Sequence, residues 1–364
     1  MDPLAHTLVG AALAETGLKR LSRYATACLL IGANIADLDA VAHLWGDDTA
    51  LYLRRGWSHG VLALAVLPLL LAGTLWLWHR WRGARNAAAP PFRLSAIVGL
   101  SFLAVWTHPL LDWLNTYGIR LLMPFDGRWF YGDTLFIIDP WIWLLAGAGV
   151  VLTRSRSVPA IAGWTLLAAL ASTLILTTDR APLAVKLIWL AGLAAVAALR
   201  WRKPSPAASR TLARASLATL LIYVCAVYGM ARMAESAAAA RFPGAWQAQA
   251  NPSPGVPFKY RVLLVHDQVY RVITPSGETF ELPRQEPDAV VRRALATESI
   301  RGFVNWMRFP YWRVEPAGEG WLVRFWDLRY QRPDQPHHGI GYVEVLVPGD
   351  ALGQQTTGIP AATE

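Results

Sequence analysis

The sequence predicts a mainly α-helical membrane protein in which a polytopic helical domain is followed by a small α+β soluble domain. Charged residues make up 16% of the 364 residues and hydrophobic residues 54%. A typical soluble protein has about 25% charged residues. The mean hydropathy of +0.30 agrees with a chain that lies largely in a bilayer. This composition excludes an ordinary soluble enzyme.

Apolar runs recur along the first 233 residues, and seven of them are candidates for spanning helices because a bilayer requires about 17 to 25 residues. They cover residues 24–44, 60–79, 94–114, 140–153, 159–177, 183–199 and 213–233. An eighth run, 4–17, would form a helix of only about 21 Å, so we expect a short first helix there. The prediction is therefore about seven to eight helices.

The pattern also predicts domain boundaries. Residues 1–140 form a helical membrane domain with a metal site, and residues 141–235 add further transmembrane helices. A linker rich in alanine and proline is expected over 236–258. Residues 259–350, with short β-branched and aromatic runs around a helical stretch, predict an α+β domain. Residues 351–364 are predicted to be a disordered tail.

Charge predicts the orientation of the chain. The first 240 residues carry the whole net charge of +9, and most of their basic residues lie on alternate links between the apolar runs. These are Lys19, Arg20, Arg23, Arg80, Arg82, Arg85, Arg93, Arg154, Arg156, Arg200, Arg202, Lys203, Arg210 and Arg214. The positive-inside rule makes that face cytoplasmic. In a bacterial inner membrane, the opposite ends of the helices and the C-terminal domain are then periplasmic.

Ionisable groups inside a membrane are costly and mark a functional site by default. Asp37 and Asp39 lie near the outer end of one predicted helix, with His43 four residues after Asp39. His108, Asp112 and Asn115 lie at i, i+4 and i+7 of another, on one face. His6, Arg54, Arg55 and His59 are expected at the same depth.

Neutral imidazole and carboxylate groups together are typical ligands of zinc, manganese or iron. The predicted metal ligands are His6, Asp37, Asp39, His59, His108 and Asp112, with zinc as the expected ion. Two carboxylates one residue apart would also suit a two-metal centre. The predicted catalytic residues are Asp37, Asp39, Arg54, Arg55 and Asn115; of these, an aspartate would take the proton of the attacking water and the arginines would bind an anionic substrate.

Other interpretations remain open at this point. Asp37 could pair with Arg54 in a structural salt bridge, and His43 could be an interfacial residue beside Trp45. The whole cluster could hold helices together without catalysis. Acids and histidines in membranes also line ion paths, but the later apolar runs contain almost none, so transport is the weakest alternative.

Four motifs in order give a resemblance to a known family: His6-Thr7-Leu8-Val9-Gly10, Asp37-Leu38-Asp39, Arg54-Arg55-Gly56-Trp57-Ser58-His59, and His108-x-x-x-Asp112-x-x-Asn115-Thr116-Tyr117-Gly118. Over residues 1–140 the chain resembles the YdjM-like family of inner-membrane, membrane-bound metal-dependent hydrolases. The ordered set is also distantly similar to zinc-dependent phospholipase C, which implies a helical fold and phosphodiester chemistry. Those enzymes use further His and Glu ligands, whereas here no histidine follows His108 until His266.

The expected function is that of a metal-dependent hydrolase acting on a phosphoester of a lipid or lipid-linked substrate at the outer leaflet. The alternative is a non-enzymatic assembly protein whose metal or salt-bridge cluster holds helices together. No nucleic-acid partner is expected because the chain has no nucleic-acid motif, and the sequence does not identify a protein partner.

Overall fold

The computed structural model describes residues 1–82, 90–178, 181–244, 246–334 and 340–349. Apolar helices form its N-terminal part, and two small antiparallel sheets form its C-terminal part. The predicted fold class, mainly α with a helical membrane domain and a C-terminal α+β domain, is confirmed. The segment predicted as a disordered tail, 351–364, lies outside the described residues.

Except for α3, the helices of the membrane part follow the predicted apolar runs. They are α1 Pro3–Glu15, α2 Ala25–Gly32, α3 Asp47–Leu53, α4 Val61–Arg82, α5 Leu94–Trp113, α6 Pro140–Arg154, α7 Val158–Leu176, α8 Leu183–Trp201 and α9 Pro206–Ala240, with 3₁₀ helices at Leu18–Arg20 and Ile35–Trp45. Within the described residues, α4, α5, α7, α8 and α9 are long and apolar enough to cross a membrane. The protein is therefore a membrane protein, and a multi-pass arrangement agrees with these lengths.

One bent pair of helices could form a broken span or a re-entrant loop. The helix α2 and the 3₁₀ helix Ile35–Trp45 together have the length and hydropathy of a span, but they meet at an angle of 44°. At the break, the side-chain amide of Asn34 donates to the carbonyl of Leu30, 2.9 Å away. In a continuing α-helix, the backbone amide of Asn34 would donate to that carbonyl. Asp37 and Asp39 lie on the bent part.

Helix starts are fixed by capping side chains followed by proline. The Asp2 carboxylate accepts from the Ala5 amide at 3.0 Å, and Asp139 accepts from the Trp141 amide at 2.9 Å. Ser205 caps α9 in the same way. Proline follows each of these caps at the first helical position, where its missing N–H costs nothing.

Small residues let three helices meet closely. A Cβ at Gly10 of α1 would lie 2.7 Å from the carbonyl oxygen of Leu29 in α2, and a Cβ at Gly32 would lie 2.6 Å from Cβ of Ala104 in α5. Backbones that approach this closely are typical of packed membrane helices. Gly10 lies one turn after His6 and Ala104 one turn before His108, so this packing brings the two histidines together.

The C-terminal part contains more regular structure than the sequence predicts. Its strands are β1 Gln247–Ser253, β2 Val256–Val265, β3 Val269–Ile273, β4 Thr279–Pro283, β5 Pro310–Ala317, β6 Gly320–Asp327 and β7 Tyr342–Pro348, and its helices are α10 Ala289–Leu295 and α11 Arg301–Trp306, joined by a 3₁₀ turn at Glu298–Ile300. The sheet orders are β1-β2-β3-β4 and β5-β6-β7, and every pairing is antiparallel. The stretch predicted as a linker, 236–258, instead contains the end of α9 and strand β1.

The C-terminal part contacts the membrane part through α3 and α11. The Asp48 carboxylate of α3 accepts from the amides of Gly302 and Phe303 at 2.9 and 3.0 Å and so caps α11. The side chain of Trp306, at the end of α11, is fully buried. The contact with Asp48 places α11 next to α3.

Candidate metal centre

Four ligand-type side chains converge between the helices. They are Asp37, His59, His108 and Asp112, whose nearest ligand atoms all lie within 4.8 Å of one another. His108 and Asp112 come from one face of α5, as the i,i+4 spacing predicts, and Asp37 comes from the bent 3₁₀ helix. His59 lies in the turn before α4. The side chains of His59, His108 and Asp112 are completely buried.

Four of the distances between these atoms are close to those between the ligands of one metal ion. Nε2 of His59 lies 3.2 Å from Nε2 of His108 and 3.2 Å from Oδ2 of Asp112. Nε2 of His108 lies 3.6 Å from Asp112 Oδ2 and 3.7 Å from Asp37 Oδ1. Zinc bonds of about 2.0 to 2.1 Å in a tetrahedron give ligand-to-ligand distances of about 3.3 to 3.4 Å. The four residues therefore fit one ion.

Hydrogen bonds to Nδ1, the ring nitrogen that faces away from the cluster, fix the tautomers of His59 and His108. Nδ1 of His108 lies 2.7 Å from the carbonyl oxygen of Ala33, which can only accept, so this nitrogen carries the proton. The Ser58 hydroxyl donates to Asp39 at 2.9 Å and can therefore accept from Nδ1 of His59, also 2.9 Å away. In the neutral forms, both Nε2 lone pairs then point into the cluster.

Asp39 lies behind His59. Its Oδ2 is 3.4 Å from Nδ1 of His59 and also accepts from the backbone amide of Arg55 at 2.8 Å. A carboxylate behind a metal-binding histidine orients the ring and raises its basicity. The structure therefore puts Asp39 next to the predicted ligand His59 and outside the group of four.

His6 lies beside the cluster on the first helix. Its Nε2 is 3.2 Å from Asp112 Oδ1, and its ring stacks on the ring of His108 with centroids 3.8 Å apart. Nδ1 of His6 is buried and has no hydrogen-bond partner among the described residues. The amine of Met1 also contacts Asp112 Oδ1.

Arg55, which was predicted to bind an anionic substrate, is buried and paired with Asp112. Its Nε and Nη2 lie 2.9 and 3.0 Å from the two oxygens of Asp112, and Nη1 donates to Asn115 Oδ1 at 2.9 Å. The guanidinium is 3% exposed and lies 4.5 Å from the ring centre of Tyr117. Asn115, one of the predicted catalytic residues, thus contacts the arginine that holds Asp112.

The cluster opens to the surface at Asp37 and Arg54. Their side chains are 15% and 24% exposed, and Nη2 of Arg54 donates to Asp37 Oδ1 at 3.0 Å. The second oxygen of Asp37 is buried without a hydrogen-bond partner among the described residues. Arg54 is therefore the guanidinium that an incoming anion could reach.

His43 does not join the cluster. It is exposed, and its Nδ1 lies 3.2 Å from the Asp47 carboxylate. Residues i and i+4 of a 3₁₀ helix with three residues per turn lie about 120° apart, so His43 does not share a face with Asp39. His43, which is not among the predicted ligands, therefore lies outside the site.

Ser58 and Tyr117 belong to the site although no sequence pattern assigned them a role. Ser58 precedes His59 directly, and Tyr117 follows Asn115 by two residues, so both lie inside the quoted motifs. Their roles depend on contacts between distant segments: the hydroxyl of Ser58 with Asp39, and the ring of Tyr117 with Arg55. A motif alone does not show such contacts.

Comparisons with known proteins agree with a membrane location. Residues 1–181 match the model of the family described as YdjM inner membrane protein. Over 134 residues the chain is 25% identical to the uncharacterized protein YfhP of Bacillus subtilis (strain 168), an alignment that covers 36% of this chain and 37% of YfhP. The chain thus aligns with little more than a third of that relative. No solved structure matches it.

Proposed function

Given that residues 1–181 belong to the YdjM inner membrane protein family, we propose that this protein is a membrane-bound, metal-dependent hydrolase. Its substrate is a phosphoester of a lipid or lipid-linked molecule. The observation that carries the proposal is the meeting of two histidine Nε2 atoms and two carboxylates at 3.2 to 3.7 Å. Acceptor atoms repel one another at these distances unless a cation or a shared proton lies between them.

The residues divide into those that would hold a divalent ion and those that would act on the substrate. Asp37, His59, His108 and Asp112 would hold the ion, while Asp39 orients His59. A bound zinc or similar ion supplies a Lewis acid and lowers the pKa of water toward about 7. The free oxygen of Asp37 is the base nearest the opening, and Arg54 would bind a phosphoryl oxygen there.

The surface next to the opening supports a lipid substrate. The same two segments that carry Asp37 and Arg54 expose an apolar rim. This rim consists of Leu38, Val41, Leu44, Trp45 and Trp57, which are 54 to 79% exposed. Such a rim beside a polar opening suits a membrane interface, where tryptophan is enriched. We place the opening and the C-terminal domain on the periplasmic side, because the basic links lie at the opposite helix ends.

Hydrolysis is tested with purified, zinc-loaded protein and a panel of phospholipids, lipid pyrophosphates and soluble phosphodiesters. We expect release of product from at least one lipid phosphoester, its loss with a chelator and its return with zinc. Arg54→Gln should keep the ion and lower kcat/KM by about 10-fold or more, the worth of one charge-assisted hydrogen bond. Arg128→Gln, which removes an exposed arginine paired with Asp126, is the matched control.

If the zinc-loaded protein leaves the whole panel unchanged, the phosphoester proposal fails. If Arg54→Gln reduces turnover no more than Arg128→Gln does, Arg54 is not the substrate-binding residue. Both measurements are made on protein whose zinc content has been determined, so a loss of activity is distinguished from a loss of the ion.

The salt-bridge alternative also has a specific observation in its favour. Asp112 already has a two-point contact with Arg55, and Asp37 is paired with Arg54. With His59 as an imidazolium that donates to Asp112, the cluster would be charge-compensated without an ion. It would then hold the bent helix, α4 and α5 together.

The two proposals differ in their response to a chelator. A metal centre predicts that removal of the ion lowers the melting temperature, because the binding free energy stabilises the folded state. A pure salt-bridge cluster predicts no effect of the chelator. It also predicts a loss of about 3 to 5 kcal/mol for Arg55→Leu, which removes the two-point contact of the buried Asp112 carboxylate. Measuring both on the same preparation separates the alternatives.

A further inference from the structure

A second polar site lies at the opposite end of the membrane helices from the metal centre. It is a cleft of about 440 Å³ between the end of α1 and the start of α9. The cleft is lined by Thr16, Gly17, Leu18, Arg20, Leu21, Arg210 and Arg214. This volume lies within the range of about 300 to 1,000 Å³ that is typical of small-ligand sites. Its lining contains three arginines and no acid, which points to an anion.

Gly17 lies beside two of the arginines. Gly17 lies in the turn that follows α1 and has φ +120°, a conformation that favours glycine. The Cβ of any other residue there would lie 3.7 Å from Nη2 of Arg214 and 3.9 Å from Cδ of Arg210. Nε of Arg214 donates to the carbonyl of Thr16 at 3.0 Å, which fixes this guanidinium at the wall of the cleft.

The charge in the cleft is uncompensated. In the part of the chain that the structure describes, neither Arg20 nor Arg210 forms an ion pair. The nearest acid along the chain, Glu15, is already paired through one oxygen with Lys19 and through the other with Arg154. Three guanidinium groups without a carboxylate repel one another, and an anion between them would relieve that repulsion.

The position of the cleft indicates which anion it binds. Arg210 and Arg214 lie one turn apart at the start of α9, before the apolar part of that helix, and so at the level of lipid headgroups. Leu18 and Leu21 form an apolar wall beside the arginines, and Leu21 is 43% exposed. Cationic pockets between membrane helices on the basic face are suited to anionic headgroups.

We propose that this cleft binds the phosphate of an anionic phospholipid from the leaflet on the basic face of the protein. Arg20, Arg210 and Arg214 contact the phosphate, because a guanidinium can bind two phosphate oxygens at once. Leu18 and Leu21 contact the glycerol and the first acyl carbons. The inference does not depend on the metal centre, which lies at the other end of the helices.

The test uses native mass spectrometry of the full chain in mild detergent, titrated separately with phosphatidylglycerol and phosphatidylcholine. We expect one phosphatidylglycerol to bind at least about 10-fold more tightly than phosphatidylcholine. The variant Arg20→Gln/Arg210→Gln should weaken that binding by about 30-fold, since each cation near an anionic surface contributes about fivefold. These two side chains hold no structural ion pair, so the variant should fold, and its melting temperature checks this.

The matched control is Arg202→Gln, which removes an exposed arginine of the same face that does not line the cleft. It should bind phosphatidylglycerol as the unchanged protein does. The proposal is overturned if the two lipids bind equally tightly. It is also overturned if Arg202→Gln weakens phosphatidylglycerol binding as much as Arg20→Gln/Arg210→Gln does. If millimolar inorganic phosphate displaces phosphatidylglycerol completely, the cleft is a site for a soluble phosphate and the lipid proposal is wrong.

Discussion

The indole Nε1 of Trp306, in the C-terminal domain, donates a hydrogen bond to the main-chain oxygen of Tyr117, 3.2 Å away. The ring of Tyr117 in turn lies over Arg55, which holds both oxygens of Asp112. Arg329 of the same domain donates to the carbonyl of Thr116 at 2.8 Å. The C-terminal domain thus contacts the loop that orients Asp112.

This relationship predicts that the C-terminal domain affects metal affinity. Trp306→Phe removes the donor to Tyr117 and keeps an aromatic ring in the core, so the loop and Arg55 should be less firmly held. We expect zinc to bind about 10-fold more weakly, the lower end of what outer-shell partners contribute. Competition with a chromogenic chelator measures the change.

Trp312→Phe is the matched control for Trp306→Phe. Trp312 is also a buried tryptophan of the same hydrophobic core, but it lies on β5. Its replacement should lower the melting temperature without changing zinc affinity. Equal zinc affinity of Trp306→Phe and the unchanged protein would show that the contact with Tyr117 only joins the domains.

The second prediction concerns the ligands. Protein purified without chelator should contain about one equivalent of a divalent transition metal, because the four atoms fit one ion. His108→Gln should lose most of it, and Asp39→Asn should bind it about 10- to 100-fold more weakly through His59. Elemental analysis measures the content, and chelator competition measures the affinity.

His43→Gln is the control for His108→Gln, because His43 is exposed and contacts Asp47. It should keep the full metal content. Metal-free but stable wild-type protein would favour the salt-bridge alternative. A content near two equivalents would instead require a second set of ligands and would revive the two-metal prediction made from Asp37 and Asp39.

The third prediction concerns orientation. In a cysteine-free background, Lys203→Cys lies in the link between α8 and α9, and Ser276→Cys lies in the turn between β3 and β4. A membrane-impermeant thiol reagent on intact cells should label only position 276, because the basic links are expected to face the cytoplasm. Labelling of position 203 alone would put the metal centre and the C-terminal domain in the cytoplasm.

The fourth prediction concerns pH. Burial raises the pKa of the Asp139 carboxyl to about 6, although the Tyr223 hydroxyl and the amides of Trp141 and Ile142 donate to it. The pKa in the folded state is thus above that of the unfolded chain. Ionisation of Asp139 therefore destabilises the folded state. The free energy of unfolding should fall by about 3 kcal/mol in total as the pH rises from about 4 to 6.

Asp139→Asn keeps an acceptor for the helix cap and cannot ionise. The melting temperature of Asp139→Asn minus that of the wild type should therefore increase when the pH is raised from 4.5 to 7.5. Asp288→Asn replaces an exposed cap of α10 and should show a much smaller change over that range. A constant difference between wild type and Asp139→Asn at all pH values would contradict the prediction.

The membrane helices could be predicted from sequence because length and hydropathy determine whether a segment can cross a bilayer. The shared face of His108 and Asp112 follows from the geometry of a regular α-helix. Strand β1 could not be predicted in this way, because its sequence QAQANPS has few β-forming residues. It becomes a strand through its pairing with β2.

The detailed roles within the site depend on contacts that no local pattern encodes. The spacing of Asp37 and Asp39 suggested two ligands, but the 3₁₀ geometry directs Asp37 to His108 and Asp39 to His59. Arg55 was expected to bind a substrate, and its pairing with Asp112 joins residues 57 positions apart. The packing of the bent 3₁₀ helix and of the turn before α4 against α5 determines these distances.

The burial of Arg55 against Asp112 also constrains how the chain enters a membrane. The ribosome makes Arg55 before α5, so at first no carboxylate of α5 can compensate its charge. An arginine that is buried without its carboxylate partner is costly, so we expect the segment before α4 to reach its buried position only after α5 has been made. The site would then assemble only when this segment packs against α5.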